Sequence, residues 1–292
     1  MTRFASLLLT LDGSPEAAKG AGCALWLAET LGATLHVLHA AAQPLPGREA
    51  LARLHAPGAQ RAQVVLHQLA QNAESAVLDE IAAHDIDLVV MSARGKSASA
   101  GLDLSRRVGT VAQAVIERSP VPVLLLPVRY REALPWTSAL AAMSGSNAAD
   151  EALKTVTQLA GALQIKVTAV HVEDGPEAAD SMPLGAYADA AYHEYPGRME
   201  EMVERGLAAC TCEESRRVDQ VLLRRGDPAA VLLEQAARHA SNVLALGWCG
   251  AIGAGRAPVL KRLLEEAECA LLLVRKPHRS TARLKVGTEI DD

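Results

Sequence analysis

The feature that most constrains the fold is an internal repeat covering almost the whole chain. Residues 7–40 align with residues 139–172 at a constant offset of 132, without a gap. Later blocks align at offsets of 155 and then 148, so the second copy has a longer internal connection and a shorter final loop. A repeat of this size is much longer than a solenoid unit. It predicts two homologous domains, packed about a pseudo-twofold axis as in a covalent dimer.

Within each copy, short apolar runs alternate with helical patterns, which favours an α/β fold with a parallel sheet and right-handed crossovers. In the first copy the predicted strands lie near residues 6–10, 34–40, 61–69, 86–91 and 121–126. The predicted helices lie near residues 15–31 and 73–84, with a third that begins near 109. We predict a first domain at 1–130, a second at 137–276 and a polar tail at 277–292.

Composition excludes several classes of function. A formal net charge of −5 gives no basic footprint for nucleic acid, and 3% aromatic residues leave few platforms for base stacking. No apolar run approaches the ~18 residues of a membrane helix, and the first apolar run is too short for a signal peptide. The five cysteines show no repeated ligand spacing, which suits a reducing compartment. We therefore expect a cytoplasmic protein with neither nucleic acid nor membrane as a partner.

A loop rich in glycine and hydroxyl residues follows the predicted strand at 86–91 and leads into a helix. Such a loop can hold a phosphate, because the first N–H groups of a helix lack intrahelical partners and its dipole favours negative charge. Gly95 lets a ligand approach the backbone, Thr110 and Val111 open the helix, and Arg94 and Lys96 balance phosphate charge. The alternative is that these loop residues only turn the chain and cap helices.

The chain resembles the universal stress proteins in their tandem two-domain form. The resemblance rests on LTLDGS at 9–14, LHVLH at 35–39, LVVM at 88–91, RGDP at 225–228 and LGWCG at 246–250. It implies two adenine-nucleotide α-hydrolase-like (Rossmann-like) domains, each a five-stranded parallel sheet with helices on both faces. It also implies an ATP site with Gly-x-x-Gly, nine residues and then Gly-Ser or Gly-Thr, and an Asp after the first strand that contacts the nucleoside.

The first half departs from this pattern in two places. Ser92 replaces the first glycine, and thirteen residues, not nine, separate Gly95 from Gly109. Asp12 matches the nucleoside-binding Asp. We predict ATP or AMP here, with Mg²⁺ accompanying ATP. The predicted binding residues are Asp12, Ala40, Met91, Arg94, Gly95, Lys96, Gly109, Thr110 and Val111.

The second half departs further. Gly247 and Gly250 keep the Gly-x-x-Gly spacing, but Ser144 replaces the Asp and Ala257-Pro258 replaces Gly-Thr. Pro258 has no N–H to offer a phosphate. We therefore predict a degenerate domain, with Gly247 and Gly250 as weaker candidates only.

Three functions remain open. The first is a non-enzymatic, nucleotide-responsive stress or regulatory protein. The second is a ligand-free tandem scaffold that acts through protein–protein contacts. The third is a slow ATPase or adenylating enzyme, for which Asp12 and, more remotely, Asp103 are the available carboxylates. The apolar strands near 121–126 and 271–274 are candidates for pairing whole chains into a homodimer.

Other motifs are weaker. Cys210 and Cys212 suggest an incidental pair at a helix end, since no second Cys/His pair lies at finger spacing. His36 and His39 point to opposite faces of one strand, which disfavours a shared metal. We interpret His39 and its repeat His171 as strand-end residues. Tyrosines at 187, 192 and 195, with His193, lie in the long second-half connection, where a lid, a partner surface or an ordinary loop fits equally well.

Overall fold

The computed structural model describes residues 4–40, 46, 50–51, 53–54, 63–95, 108–173, 195–248 and 257–275, with only the backbone at 195–199. Several sequence predictions lie outside the described residues. These are Lys96, Asp103, Tyr187, Tyr192, His193, Gly250 and the tail at 277–292.

The ten strands are β1 Ser6–Thr10, β2 Thr34–Ala40, β3 Val64–Leu69, β4 Leu88–Ser92, β5 Val123–Leu126, β6 Ser138–Met143, β7 Lys166–Glu173, β8 Val218–Arg225, β9 Val243–Trp248 and β10 Ala270–Arg275. The helices that the structure bounds are α1 Pro15–Leu31, α2 Ala73–Ala83, α3 Thr110–Arg118, α4 Asn147–Leu163, α5 Tyr195–Leu207, α6 Cys212–Ser215, α7 Pro228–Arg238 and α8 Pro258–Glu266. None of the helices in the described part of the chain combines the length and apolar character that a bilayer-spanning segment requires.

The strands form one sheet in the order β3-β2-β1-β4-β5-β10-β9-β6-β7-β8. Neighbours within each half are parallel, and helices cover both faces. The α/β fold predicted from the repeat is therefore confirmed, with five parallel strands in each half.

The two halves meet at β5 and β10, which pair antiparallel with Leu124 opposite Leu272. Both edges of each of these strands are occupied inside the chain, because β5 also pairs with β4 and β10 with β9. The prediction that these apolar strands pair one chain with another is therefore wrong. The outer strands of the sheet are β3 and β8.

The repeat is visible in how the helices begin. Ser14 caps α1 by accepting a hydrogen bond from the N–H of Ala17 at 3.1 Å, and Ser146 caps α4 by accepting from Ala149 at 3.2 Å. Such caps satisfy a donor that has no intrahelical partner. They also fix the direction in which each helix leaves the carboxyl end of its strand.

The long second-half connection differs from expectation. One helix is predicted near 199–214, but the structure has α5 and then α6. Thr211 starts α6 with a capping box, in which its hydroxyl accepts from Glu214 N and Glu214 Oε2 accepts from Thr211 N. Thr211 thus begins a second helix inside the range predicted as one helix. Cys210 lies just before this cap, and Cys212 is the first residue of α6.

Side chains of opposite strand faces build two apolar layers. One packs under α1 and α4 and includes Leu7, Leu9 and Leu124. The other packs under α2, α3, α7 and α8 and includes Leu8 and Leu125. Leucine, valine and alanine build most of these layers, since only 3% of the residues are aromatic. Packing on both faces holds the strands in place, and this fixes where the loops at their carboxyl ends begin.

Candidate functional site

A cleft of about 110 Å³ lies in the first half at the carboxyl ends of β1, β2 and β4. The strand order reverses between β1 and β4, and ligands of open α/β sheets bind at such a point.

The cleft gathers the predicted binding residues of the first half that the structure describes. They are Asp12, Ala40, Met91, Arg94, Gly95, Gly109, Thr110 and Val111. Sequence reasoning missed the apolar wall formed by Leu38 on β2 and by Ala73 and Val77 on α2. The available signal is the apolar character of Ala73 and Val77, one turn apart at the start of the predicted helix at 73–84.

Asp12 is positioned by the turn that leads into α1. Its Oδ1 accepts hydrogen bonds from the backbone N–H of Ser14 at 2.9 Å and from the Ser14 hydroxyl at 2.6 Å. Its Oδ2 lies against Gly95, where any Cβ would overlap the carboxylate. Glycine at 95 therefore allows the loop after β4 to approach Asp12 closely.

The beginning of α3 supplies free donors. Gly109 is the N-cap residue with extended φ and ψ of −63° and 150°, and no described side chain caps the helix. Its own N–H donates to Ala93 O at 2.8 Å, which ties the helix start to the end of β4. The N–H groups of the first turn thus lack intrahelical partners at the edge of the cleft, as an anion site requires.

Arg94 adds positive charge to the same wall. Its Nε is buried and makes no hydrogen bond within the described part of the chain. A buried donor without a partner is costly, and a bound anion would satisfy it. Asp12, Arg94 and the first turn of α3 therefore present an acceptor, a cation and free amides around one space.

The corresponding place in the second half has a different lining. Its lining is Leu246, Gly247, Trp248, Ala257, Pro258, Val259, Leu260 and Leu273, without a charged side chain among the described residues. Trp248 stands where the first half has Ala93, and its indole is buried. Ser144 occupies the position that corresponds to Asp12. Its hydroxyl shares a hydrogen bond of 3.0 Å with the Ser146 hydroxyl.

Gly247 has a packing role. A Cβ at this position would overlap the backbone of Ala148 and Ala149, so glycine is needed to bring the first turn of α4 against β9. The first half has Ser92 there, and its hydroxyl donates to Ala17 O at 3.3 Å. The glycine that suggested a second phosphate loop is thus explained by close helix packing.

The two strand-end histidines behave alike. Nδ1 of His39 lies 2.9 Å from Leu11 O, and Nδ1 of His171 lies 2.9 Å from Met143 O. Each therefore ties the end of its strand to the neighbouring strand, which is the role the sequence predicts.

Comparisons with known proteins agree with the repeat. A family model described as the universal stress protein family matches residues 4–127 and again residues 136–275. A search of curated protein sequences finds no match.

Solved structures share the fold across both halves. A universal stress protein from Pseudomonas aeruginosa UCBPP-PA14, titled as putative, is 16% identical with a TM-score of 0.63, and the match covers 93% of each chain. A universal stress protein from Archaeoglobus fulgidus DSM 4304 is 14% identical with a TM-score of 0.61, over 94% of this chain and 99% of that one. At these identities the likeness concerns the fold alone.

Proposed function

The chain belongs to the universal stress protein family, a family of stress-response proteins, and we propose that its first half binds ATP or AMP in the cleft at the carboxyl ends of β1, β2 and β4. We propose further that the chain is a non-enzymatic regulator whose second half is a structural partner. The domains proposed are 1–130 and 137–276, joined through β5 and β10.

The first-half residues suit the parts of an adenine nucleotide. Asp12 would accept hydrogen bonds from the hydroxyl groups of the ribose. The N–H groups of Thr110 and Val111, together with the Thr110 hydroxyl, would hold phosphate at the start of α3. Arg94 would balance the phosphate charge, and Mg²⁺ would accompany ATP on its phosphates.

One observation carries the proposal. The cleft brings Asp12, Arg94, Gly95 and the start of α3, which no described side chain caps, together around open space, although the chain separates them by as many as 98 residues. The second half repeats the scaffold with its own strands, but Ser144 replaces the acid and Ala257-Pro258 replaces Gly-Thr, so the hydroxyl is absent and Pro258 offers no N–H. That contrast supports a ligand role for the first-half residues, since helix capping and chain turning are needed equally in both halves.

Isothermal titration with ATP and with AMP tests this proposal. We expect one site per chain, and we expect Asp12→Ala to weaken binding at least about tenfold, which is roughly 1.4 kcal/mol. The matched control is Ser144→Ala at the corresponding position of the second half, which should leave the affinity unchanged.

Circular dichroism and thermal unfolding of each variant separate lost binding from lost folding. Absence of heat with the folded wild type, or equal affinities in all three proteins, would contradict the proposal and would favour a ligand-free scaffold. Magnesium-dependent release of phosphate that Asp12→Asn abolishes would instead show an ATPase.

A further inference from the structure

Three histidines that the nucleotide proposal does not use meet beneath α2, at the outer edge of the first half. They are His36 on β2, His67 on the outer strand β3, and His84 at the end of α2. Their ligand nitrogens all lie within 4.8 Å of one another. His36 Nδ1 and His67 Nε2 are only 2.9 Å apart. The ring centroids of each pair are separated by 4.5–5.1 Å, so the three imidazoles form one cluster.

The topology explains how distant residues converge. In the register of β2 and β3, His67 lies opposite Leu38, two positions along from His36, so both side chains emerge on the face that α2 covers. His84 caps the carboxyl end of α2 and follows Glu80 by one turn. The first turns of α2 line the proposed nucleotide cleft, while its last turn holds Glu80 and ends at His84.

A buried carboxylate lies in the middle of the cluster. Glu80 Oε2 is 3.3 Å from His67 Nδ1 and 3.2 Å from His84 Nε2. These distances allow ion pairing when a ring is protonated, and the oxygen is otherwise buried without a hydrogen-bond donor from the described residues. The side chain of Glu80 is only 8% exposed. A buried carboxylate needs a positive or hydrogen-bonding partner when it is ionised, and two of the three imidazoles face this one.

Burial opposes the protonation of His36 and of His67. Burial lowers the pKa of His36, and the neighbouring rings of His67 and His84 lower it further. Burial also lowers the pKa of His67, more than the adjacent Glu80 raises it. Neutral imidazole is the form that binds metal ions, and a carboxylate beside a ligating ring fixes its orientation.

The described residues of the second half contain no such cluster, although they repeat the scaffold. Ser6 Oγ donates to the carbonyl of His84 at 3.2 Å, and Ser138 Oγ donates to that of His239 at 3.0 Å, so these two histidines are structurally equivalent. The positions of His36, His67, Glu80 and His84 correspond to Thr168, Leu222, Gln235 and His239. Helix termination therefore accounts for one histidine in each half, and it leaves the other two rings and the carboxylate unexplained.

We propose that His36, His67 and His84 bind a divalent transition-metal ion of the zinc class, with Glu80 orienting the rings and offsetting the charge. Three imidazoles suit Zn²⁺, Ni²⁺ or Cu²⁺ much better than Mg²⁺ or Ca²⁺, which prefer oxygen ligands. Tetrahedral Zn–N bonds of about 2.0–2.1 Å separate ligand nitrogens by roughly 3.3 Å, so side-chain shifts of about 1 Å would close the site. His84 is 36% exposed and offers the ion a route from solvent.

The test is a Zn²⁺ titration of the tag-free, EDTA-treated full chain against a chromophoric chelator. A background of Cys210→Ser and Cys212→Ser removes these two thiols as competing ligands. We expect one equivalent to bind, with a visible absorption band when Co²⁺ replaces Zn²⁺. His67→Gln should weaken binding at least about 100-fold, and Glu80→Gln about 10–100-fold.

His239→Gln, at the equivalent position of the second half, is the matched control and should leave affinity and stoichiometry unchanged. His84→Gln is a second test variant, because its partly exposed ring makes folding the safest to preserve. Zn²⁺ should raise the unfolding temperature of the parent and fail to raise that of His84→Gln. Lack of stoichiometric binding, or an equal loss in His84→Gln and His239→Gln, would overturn the site. Neither result would bear on nucleotide binding, which ATP titration measures separately.

Discussion

The two halves of the chain share a scaffold and differ at the carboxyl ends of their strands. In the first half, Asp12, Gly95 and Gly109 surround an open cleft. In the second, Trp248 is buried where the first half has Ala93, and Pro258 begins the helix that Thr110 begins in the first. The halves therefore diverge through side chains at a few loop positions, while the strand order of one mirrors that of the other.

This difference teaches how a glycine motif should be interpreted. The second half keeps Gly-x-x-Gly, the more family-like spacing, yet its first glycine serves to bring α4 against β9. The first half breaks the spacing with Ser92, yet it has the open cleft. Glycine alone thus reports a close approach of backbone, and only the surrounding acid, hydroxyl and free N–H groups distinguish a ligand from a neighbouring helix.

The largest expected effect is on stability, when Gly247 of the second half is replaced by the serine that the first half has at position 92. Gly247→Ser places a Cβ inside the backbone of Ala148 and Ala149, which cannot move without displacing α4. We expect a loss of about 3 kcal/mol or more in the free energy of unfolding, measured by urea denaturation.

The reciprocal change, Ser92→Gly, is the matched control. It removes one hydrogen bond to Ala17 and should cost only about 1 kcal/mol. Comparable losses for the two variants would show that the two helices pack against their sheets alike, and the packing explanation of Gly247 would fail.

The next effect is on nucleotide binding. Gly109→Asp places a carboxylate at the start of α3, where it caps the free N–H groups and repels phosphate. We expect ATP affinity to fall at least about 100-fold, roughly 2.7 kcal/mol, with stability unchanged or slightly raised.

Gly109→Ala is the control that adds a side chain without a charge. Its Cβ would lie 3.5 Å from Ala93 O, which is an ordinary contact. It should retain most of the affinity. Ala257→Asp makes the corresponding change in the second half and should leave ATP binding unaltered. Strong binding by Gly109→Asp would exclude this helix start as the phosphate site.

Most of the fold follows from local sequence. Apolar runs and helical patterns predict the strands and the helices, because each of these signals lies within a few residues. The repeat follows from the constant offset of 132. Pairing between β5 and β10 was not predictable in this way. Apolar composition shows that a strand needs neighbours, but it does not say whether those neighbours belong to the same chain.

The two candidate sites also differ in how far the sequence predicts them. The first-half cleft was predictable because its residues follow strands whose carboxyl ends meet at one edge. The histidine cluster was missed because His36 was weighed only against His39, its neighbour along the strand. Its actual partners, His67 and His84, come from other elements, and only the register of β2 with β3 brings them together.

Two buried thiols can report on the halves separately. Burial raises the pKa of Cys23 in α1 to about 12 and that of Cys269, just before β10, to about 12. Near pH 8 each thiol should therefore react with an alkylating reagent only when its surroundings open. ATP at 100 times its Kd should slow labelling of Cys23 by up to about 100-fold and that of Cys269 much less, as measured by mass spectrometry. Equal slowing would mean that the ten-stranded sheet opens as one unit.

The smallest effect concerns how α1 and α4 end. Gly32 terminates α1 with φ of 65°, whereas Gln164 terminates α4 with φ of 59°, a left-handed conformation that side chains disfavour. No atom lies within 4 Å of a Cβ built at Gly32, so Gly32→Ala changes only the backbone preference, and we expect a loss of about 1 kcal/mol in thermal unfolding. Gln164→Gly relieves the corresponding strain but gives up the hydrogen bond from Gln164 Nε2 to Gly161 O, so its net effect should be under about 1 kcal/mol. A Gly32→Ala variant as stable as the parent would show that the halves tolerate side chains equally at this position, and the difference between their helix ends would then carry no energetic meaning.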